Sequence, residues 1–112
     1  MKCLYITTDL MFSSRVSGVA QRVGVDLQTS GPATVVEGLS IAPDLVIIDL
    51  STPGISIAEL VMQVKAGVPS ARVIAYGPHV HEAKLAAAQA AGCDAVFTRG
   101  QFDRDIAAIL TA

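Results

Sequence analysis

The sequence predicts a doubly wound α/β fold, a five-stranded parallel sheet in strand order 2-1-3-4-5 with five helices on its two faces. Three observations carry this. Short unbroken apolar runs, Leu45-Val46-Ile47-Ile48 and Val73-Ile74-Ala75, have strand length and many β-branched residues, as strands covered on both faces do. Between such runs, apolar residues recur at helical spacing. The two patterns alternate from one end of the chain to the other, and right-handed crossovers turn that alternation into a parallel sheet.

The elements follow in order. Cys3 to Ile6 reads as the first strand, and Phe12, Val16, Val19 and Ala20 mark one face of the first helix. Val25 to Thr29 alternates apolar and polar residues, which suits a half-covered edge strand beside the first. Ser30-Gly31-Pro32 can start a short helix carrying Val35, Val36 and Leu39. The strand Leu45 to Ile48 follows, on the other side of the first strand. Ile57, Leu60, Val61 and Val64 share the apolar face of the next helix. Ser56-Ile57-Ala58-Glu59 has the capping-box pattern at its start, and Gly67 is placed to end it. After Val73 to Ala75, the alanine-rich stretch Glu82 to Ala91 favours helix and stops at Gly92. Ala95 to Phe97 is the fifth strand. A last helix beginning near Asp103 buries Ile106, Ile109 and Leu110.

Bulk composition narrows the function. The 112 residues form one domain, 1–112, large enough to bury a core without staples. Apolar residues make up 52% and charged residues 16%, which excludes a disordered tail. A net charge of −2 and the lack of any Lys/Arg run argue against nucleic acid or an anionic membrane as partner. The polar Thr7 and Thr8 interrupt the N-terminal apolar stretch too early for a signal peptide or a membrane span. Cys3 and Cys93 lack zinc or redox spacing, so the expectation is a reduced, cytoplasmic protein whose thiols pack as small apolar groups.

In an open doubly wound sheet, ligands bind beyond the carboxyl ends of the strands. There the sequence places Thr7, Thr8 and Asp9 after the first strand, and Asp49 with Leu50-Ser51-Thr52-Pro53-Gly54 after the third. Tyr76, Gly77 and Pro78 follow the fourth strand, and Thr98, Arg99 and Gly100 the fifth. Asp9 suits the N-cap of the first helix, and Thr7 and Thr8 suit turn residues that bond backbone groups. Arg99 can bond a carboxylate through two parallel N–H groups, and Asp49 at the same end of the sheet is the expected partner. Tyr76 either fills the space beside Gly77 or points outward. His79 and His81 flank Val80 in a loop with no third ligand in sight, so they read as exposed histidines rather than a metal site. No nucleophile–base pair and no glycine-rich phosphate loop after the first strand is legible. The expectation is therefore no catalytic residue, no metal and no cofactor.

The segment Asp44-Leu45-Val46-Ile47-Ile48-Asp49-Leu50-Ser51-Thr52-Pro53-Gly54 resembles the third strand and following loop of the receiver domains of bacterial response regulators. Glu59-Leu60 fits the start of their third helix, and Ala90-Ala91-Gly92-Cys93-Asp94 is similar to the segment before their fifth strand. The resemblance covers essentially the whole chain and implies a flavodoxin-like fold and a role in two-component signalling or a phosphorelay. It makes Asp49 the equivalent of the phosphoacceptor. The rest of the receiver set departs from the family. Thr7 and Thr8 stand where an acidic pair holds Mg²⁺, with Asp9 offset. Gly77 stands for the switch threonine or serine, Arg99-Gly100 for lysine-proline, and Val96 for the switch aromatic, with Phe97 adjacent.

Phosphoryl transfer is mostly positioning and charge neutralisation, much of it supplied by the metal. The expectation is a stand-alone pseudo-receiver that works by protein–protein interaction. Its candidate partners are a histidine kinase, a regulator, or a second copy docked through the face formed by residues 82–112. The alternatives are an active single-domain response regulator phosphorylated on Asp49, and a flavodoxin-like binder of a small ligand.

Overall fold

The computed structural model describes residues 1–112. The expected sheet forms, with every neighbouring pair of strands parallel and the order β2-β1-β3-β4-β5. The strands are β1 Lys2–Ile6, β2 Asp26–Ser30, β3 Leu45–Asp49, β4 Arg72–Gly77 and β5 Ala95–Thr98. The helices are α1 Leu10–Val23, α2 Val35–Leu39, α3 Ile57–Gly67, α4 Glu82–Ala90, α5 Arg99–Arg104 and α6 Ile106–Leu110, with a 3-10 turn at Pro32–Thr34 leading into α2.

Strand alternation sorts the core into two layers, because successive side chains point to opposite faces. Cys3, Tyr5, Leu45, Ile47, Ile74 and Tyr76 face α1, α5 and α6, where Phe12, Val16, Phe102, Ile106 and Leu110 meet them. Leu4, Ile6, Val46, Ile48, Val73 and Ala75 face the other way, onto Val35, Leu60, Val61, Val64 and Ala88. The three central strands are thus apolar on both faces, which is why their sequences run unbroken rather than alternating. Asp94 locks β5 to β4, since its carboxylate accepts the Val73 N–H at 2.8 Å while its own N–H donates to the Val73 carbonyl at 2.7 Å. Cys3 and Cys93 are free thiols, and burial pushes Cys3 up to about 12. No helix is long and apolar enough to cross a membrane.

Two local expectations are corrected. Five helices become six because the last one starts earlier and breaks. It starts at Arg99, where Thr98 and Gln101 form a capping box, with the Gln101 N–H donating to Thr98 Oγ1 at 3.2 Å and the Thr98 N–H to Gln101 Oε1 at 3.0 Å. Phe102, buried with Ile106, extends the apolar periodicity one turn upstream of Asp103. The break falls at Asp105, whose N–H is shared between the Gln101 and Phe102 carbonyls, as at a helix end. Conversely, Ser56 precedes α3 without a side-chain cap. Ser56 and Glu59 are both exposed, so water can serve the N–H groups they were expected to bond.

Candidate functional site

The carboxyl ends of β1, β3 and β4 bring Thr7, Asp49 and Gly77 together, each buried. Tyr5, Thr7, Asp49 and Tyr76 lie on one face of the sheet, two residues apart along β1 and opposite each other across β3 and β4, where Asp49 pairs with Tyr76. Asp49 is 4% exposed. Its Oδ2 accepts the Thr7 hydroxyl at 2.7 Å and its Oδ1 accepts the Ser51 backbone N–H at 2.9 Å. Thr7 bridges further, because the same oxygen accepts the Asp9 N–H at 3.0 Å. Thr8 is exposed and makes no side-chain hydrogen bond.

Arg99 does not reach Asp49. Its Nη2 donates to Asp9 Oδ2 at 3.3 Å, and its guanidinium lies 4.5 Å from the centre of the Phe12 ring. The cause is topological. β4 separates β5 from β3, and α5 begins at Arg99 itself, so the side chain leaves toward α1, where the aromatic face and Asp9 intercept it. Asp9 also caps α1 through the Phe12 N–H, donated to Oδ1 at 3.0 Å. That hydrogen bond first, and Arg99 after it, hold the Asp9 carboxyl below its ordinary range.

Tyr76 meets neither expectation. It neither fills the space beside Gly77 nor points outward, but is buried facing α1 and α5, stacked on Phe102 with ring centres 4.3 Å apart. Its hydroxyl bonds that of Tyr5. Burial pushes the Tyr5 phenol up to about 12, and burial together with the Tyr5 bond pushes Tyr76 higher still. Leu50 occupies the space beside Gly77, and a Cβ added there would sit 3.2 Å from Leu50 Cβ. Val96 and Phe97 pack on opposite faces of the sheet, so Phe97 is no substitute for an aromatic at 96. His79, Val80 and His81 are exposed. His79 lines a hollow of about 680 Å³ with Phe12, Arg15, Arg99 and Asp103, across which Arg15 and Asp103 pair at 2.5 Å. No group of three or more His, Cys, Asp or Glu side chains is placed to hold a metal.

Sequence reasoning missed the Tyr5–Tyr76 hydroxyl pair, although the sheet order and period-two alternation together place both phenols on one face. It also gave Phe12 no role beyond the core.

The site and topology define a receiver-type fold whose crevice holds one buried carboxylate beside two threonines. No family model matches the sequence, and no curated protein matches it. Solved structures match along nearly the whole chain. The chemotaxis response regulator CheY4 of Vibrio cholerae superposes with a TM-score of 0.82 at 16% identity, covering 98% of this chain and 95% of that one. The signal receiver domain of the DNA-binding response regulator MerR of Colwellia psychrerythraea gives 0.80 at 16%, covering 100% and 99%. A response regulator receiver domain of Clostridium thermocellum gives 0.77 at 20%, covering 98% and 90%. The chain has the receiver fold.

Proposed function

We propose that the chain is a pseudo-receiver, a signalling module that acts by protein–protein contact and not by Mg²⁺-dependent phosphorylation of Asp49. The observation that carries this is the state of the Asp49 carboxylate. It is shielded from solvent, with one oxygen on the Thr7 hydroxyl and the other on the Ser51 amide. A hard divalent cation needs several anionic or water oxygens at close range. Thr7 supplies a neutral oxygen whose proton is already committed to Asp49, and Asp9 is occupied by the Phe12 N–H and Arg99. These residues do not fit Mg²⁺. At the position of the switch hydroxyl a side chain on residue 77 would crowd Leu50, 3.2 Å from the added Cβ, and Arg99, the stand-in for the receiver lysine, is tied to Asp9 and Phe12.

With the crevice held in one state, output depends on surfaces. The face formed by α4, β5 and α5 supports a docking role. β5 is an edge strand half-exposed along its whole length, and a hollow of about 310 Å³ runs between Leu85 and Gln89 of α4 and Val96 to Thr98. A partner signalling protein or a second copy would dock there, in residues 82–112.

The test is incubation with acetyl phosphate and Mg²⁺, followed by intact mass measurement. The wild-type mass stays unchanged under conditions that fully phosphorylate an ordinary receiver. A hydroxylamine-sensitive phosphoryl adduct that Asp49→Ala abolishes would overturn the reading in favour of an active single-domain receiver.

A further inference from the structure

Beside the loop that follows Asp49 lies an open hollow of about 520 Å³, lined by residues of 50–57 and of α4. This volume is in the range of small-molecule sites. Its lining is mixed, with Leu50, Ile55, Ile57 and Ala87 apolar, and Thr52 and Lys84 polar. Ile55 and Ile57 are left half-exposed.

One buried polar group at this hollow lacks a partner, and two exposed groups beside it have none within the protein. Thr52 is 4% exposed, and its Oγ1 is the one buried side-chain oxygen or nitrogen in the protein with no hydrogen bond. A buried hydroxyl without a partner loses its hydration for nothing, so native structures rarely keep one without a reason. Lys84, which also lines the hollow, is exposed and makes no ion pair. Ala83, on the same wall, lies in the first turn of α4, where His81 provides no side-chain cap and the Ala83 N–H finds no acceptor in the protein. An exposed ammonium and a free helical N–H thus edge one apolar-walled hollow, and an unpaired hydroxyl lies buried in its wall.

We propose that this hollow binds a small amphipathic carboxylate. Its anionic end lies between the Thr52 hydroxyl and Lys84, and its apolar body rests on Ile55, Ile57 and Ala87. Lys84 is the one charged residue lining the hollow, and a single positive charge matches a monoanion better than a phosphate dianion. Presenting the Thr52 hydroxyl needs a small movement of the loop, whose Ser51, Pro53 and Gly54 are exposed. Because that loop also supplies the Ser51 N–H to Asp49, occupancy of the hollow would be felt in the crevice. A receiver fold without phosphorylation would then take its input from a small molecule.

The test titrates the ¹⁵N-labelled protein with phenylacetate, and in parallel with 2-phenylethanol and phenethylamine, which keep the ring but are neutral or cationic. Phenylacetate should shift the Thr52, Gly54, Ala83 and Lys84 amides along saturating curves, while the two controls bind at least several-fold more weakly. Thr52→Val keeps the shape and removes the hydroxyl, and should weaken phenylacetate about tenfold, as for a hydrogen bond to a charged group. Lys84→Gln should weaken it about two- to fivefold, as for an exposed charge. Thr52→Val should also raise the melting temperature of the free protein, because an unsatisfied buried oxygen is gone. No saturable shift at these amides, equal binding of the controls, or phenylacetate affinity unchanged in Thr52→Val would each overturn the proposal.

Discussion

Replacing Thr7 by valine tests whether the hydroxyl, in place of a metal, is what makes a buried Asp49 tolerable. Valine keeps the shape of a side chain that is 4% exposed and removes a 2.7 Å bond to a carboxylate that is equally buried. Hydrogen bonds to charged groups contribute about 1.5–3 kcal/mol, so the substitution should cost roughly 2 kcal/mol. Unfolding entropy near 2.1 cal/mol/K per residue gives roughly 0.24 kcal/mol/K for 112 residues, so the melting temperature should fall by about 8 °C. Thr7 Oγ1 also accepts the Asp9 N–H, and that loss is common to any background. Repeating Thr7→Val in an Asp49→Asn protein separates the two terms, because a neutral acceptor is worth only about 0.5–1.5 kcal/mol. Urea unfolding of the four proteins should therefore show a coupling of about 1 kcal/mol between positions 7 and 49. Equal costs of Thr7→Val in both backgrounds would mean that the bond to the Asp49 charge contributes nothing, and the account of the crevice would fail.

Tyr5→Phe or Tyr76→Phe alone leaves a buried hydroxyl without its partner and should cost about 1–2 kcal/mol, whereas the double replacement should cost less than either; urea midpoints decide. These are the only two tyrosines, so absorbance at 295 nm should show no phenolate in the folded protein until near pH 12. Phenols raised in the folded state make stability fall as pH climbs past their ordinary value of about 10, since only the unfolded chain can then ionise. Asp9 works in the opposite sense. Its carboxyl is lowered in the folded state, so its contribution is present above the ordinary carboxylate range and is lost as pH falls through the lowered value. Asp9→Asn should keep most of the α1 cap and flatten that acid limb, while Asp9→Ala should lose about 1 kcal/mol at neutral pH, read from urea midpoints between pH 2.5 and 7. Ala42 is the one non-glycine residue at positive φ, 54°. Ala42→Gly relieves about 1–2 kcal/mol of strain against a smaller entropy loss, so thermal unfolding should move up by a few degrees.

What the sequence determined by itself was everything that hydrophobic period and turn residues encode locally. The runs at 45–48 and 73–75 suit strands covered on both faces, and the alternation at 25–29 suits an edge. With right-handed crossovers these leave few orders for the sheet, and the observed one places Thr7, Asp49, Gly77 and Arg99 at a common end. Asp9 as the α1 cap was equally legible, because its partner lies three residues away. The tertiary structure decided every pairing made across the fold. Arg99 and Asp9 are 90 residues apart and Tyr5 and Tyr76 are 71 apart, and no period in the sequence says which of two carboxylates a guanidinium will meet. That choice rests on an intervening strand, the first turn of α5 and the ring of Phe12. The same holds for Thr52. A threonine in a turn is ordinary in sequence, and only the fold buries its hydroxyl away from every partner. Local patterns report which surface a residue must bury; the rest depends on side-chain reach in three dimensions, which sequence spacing does not carry.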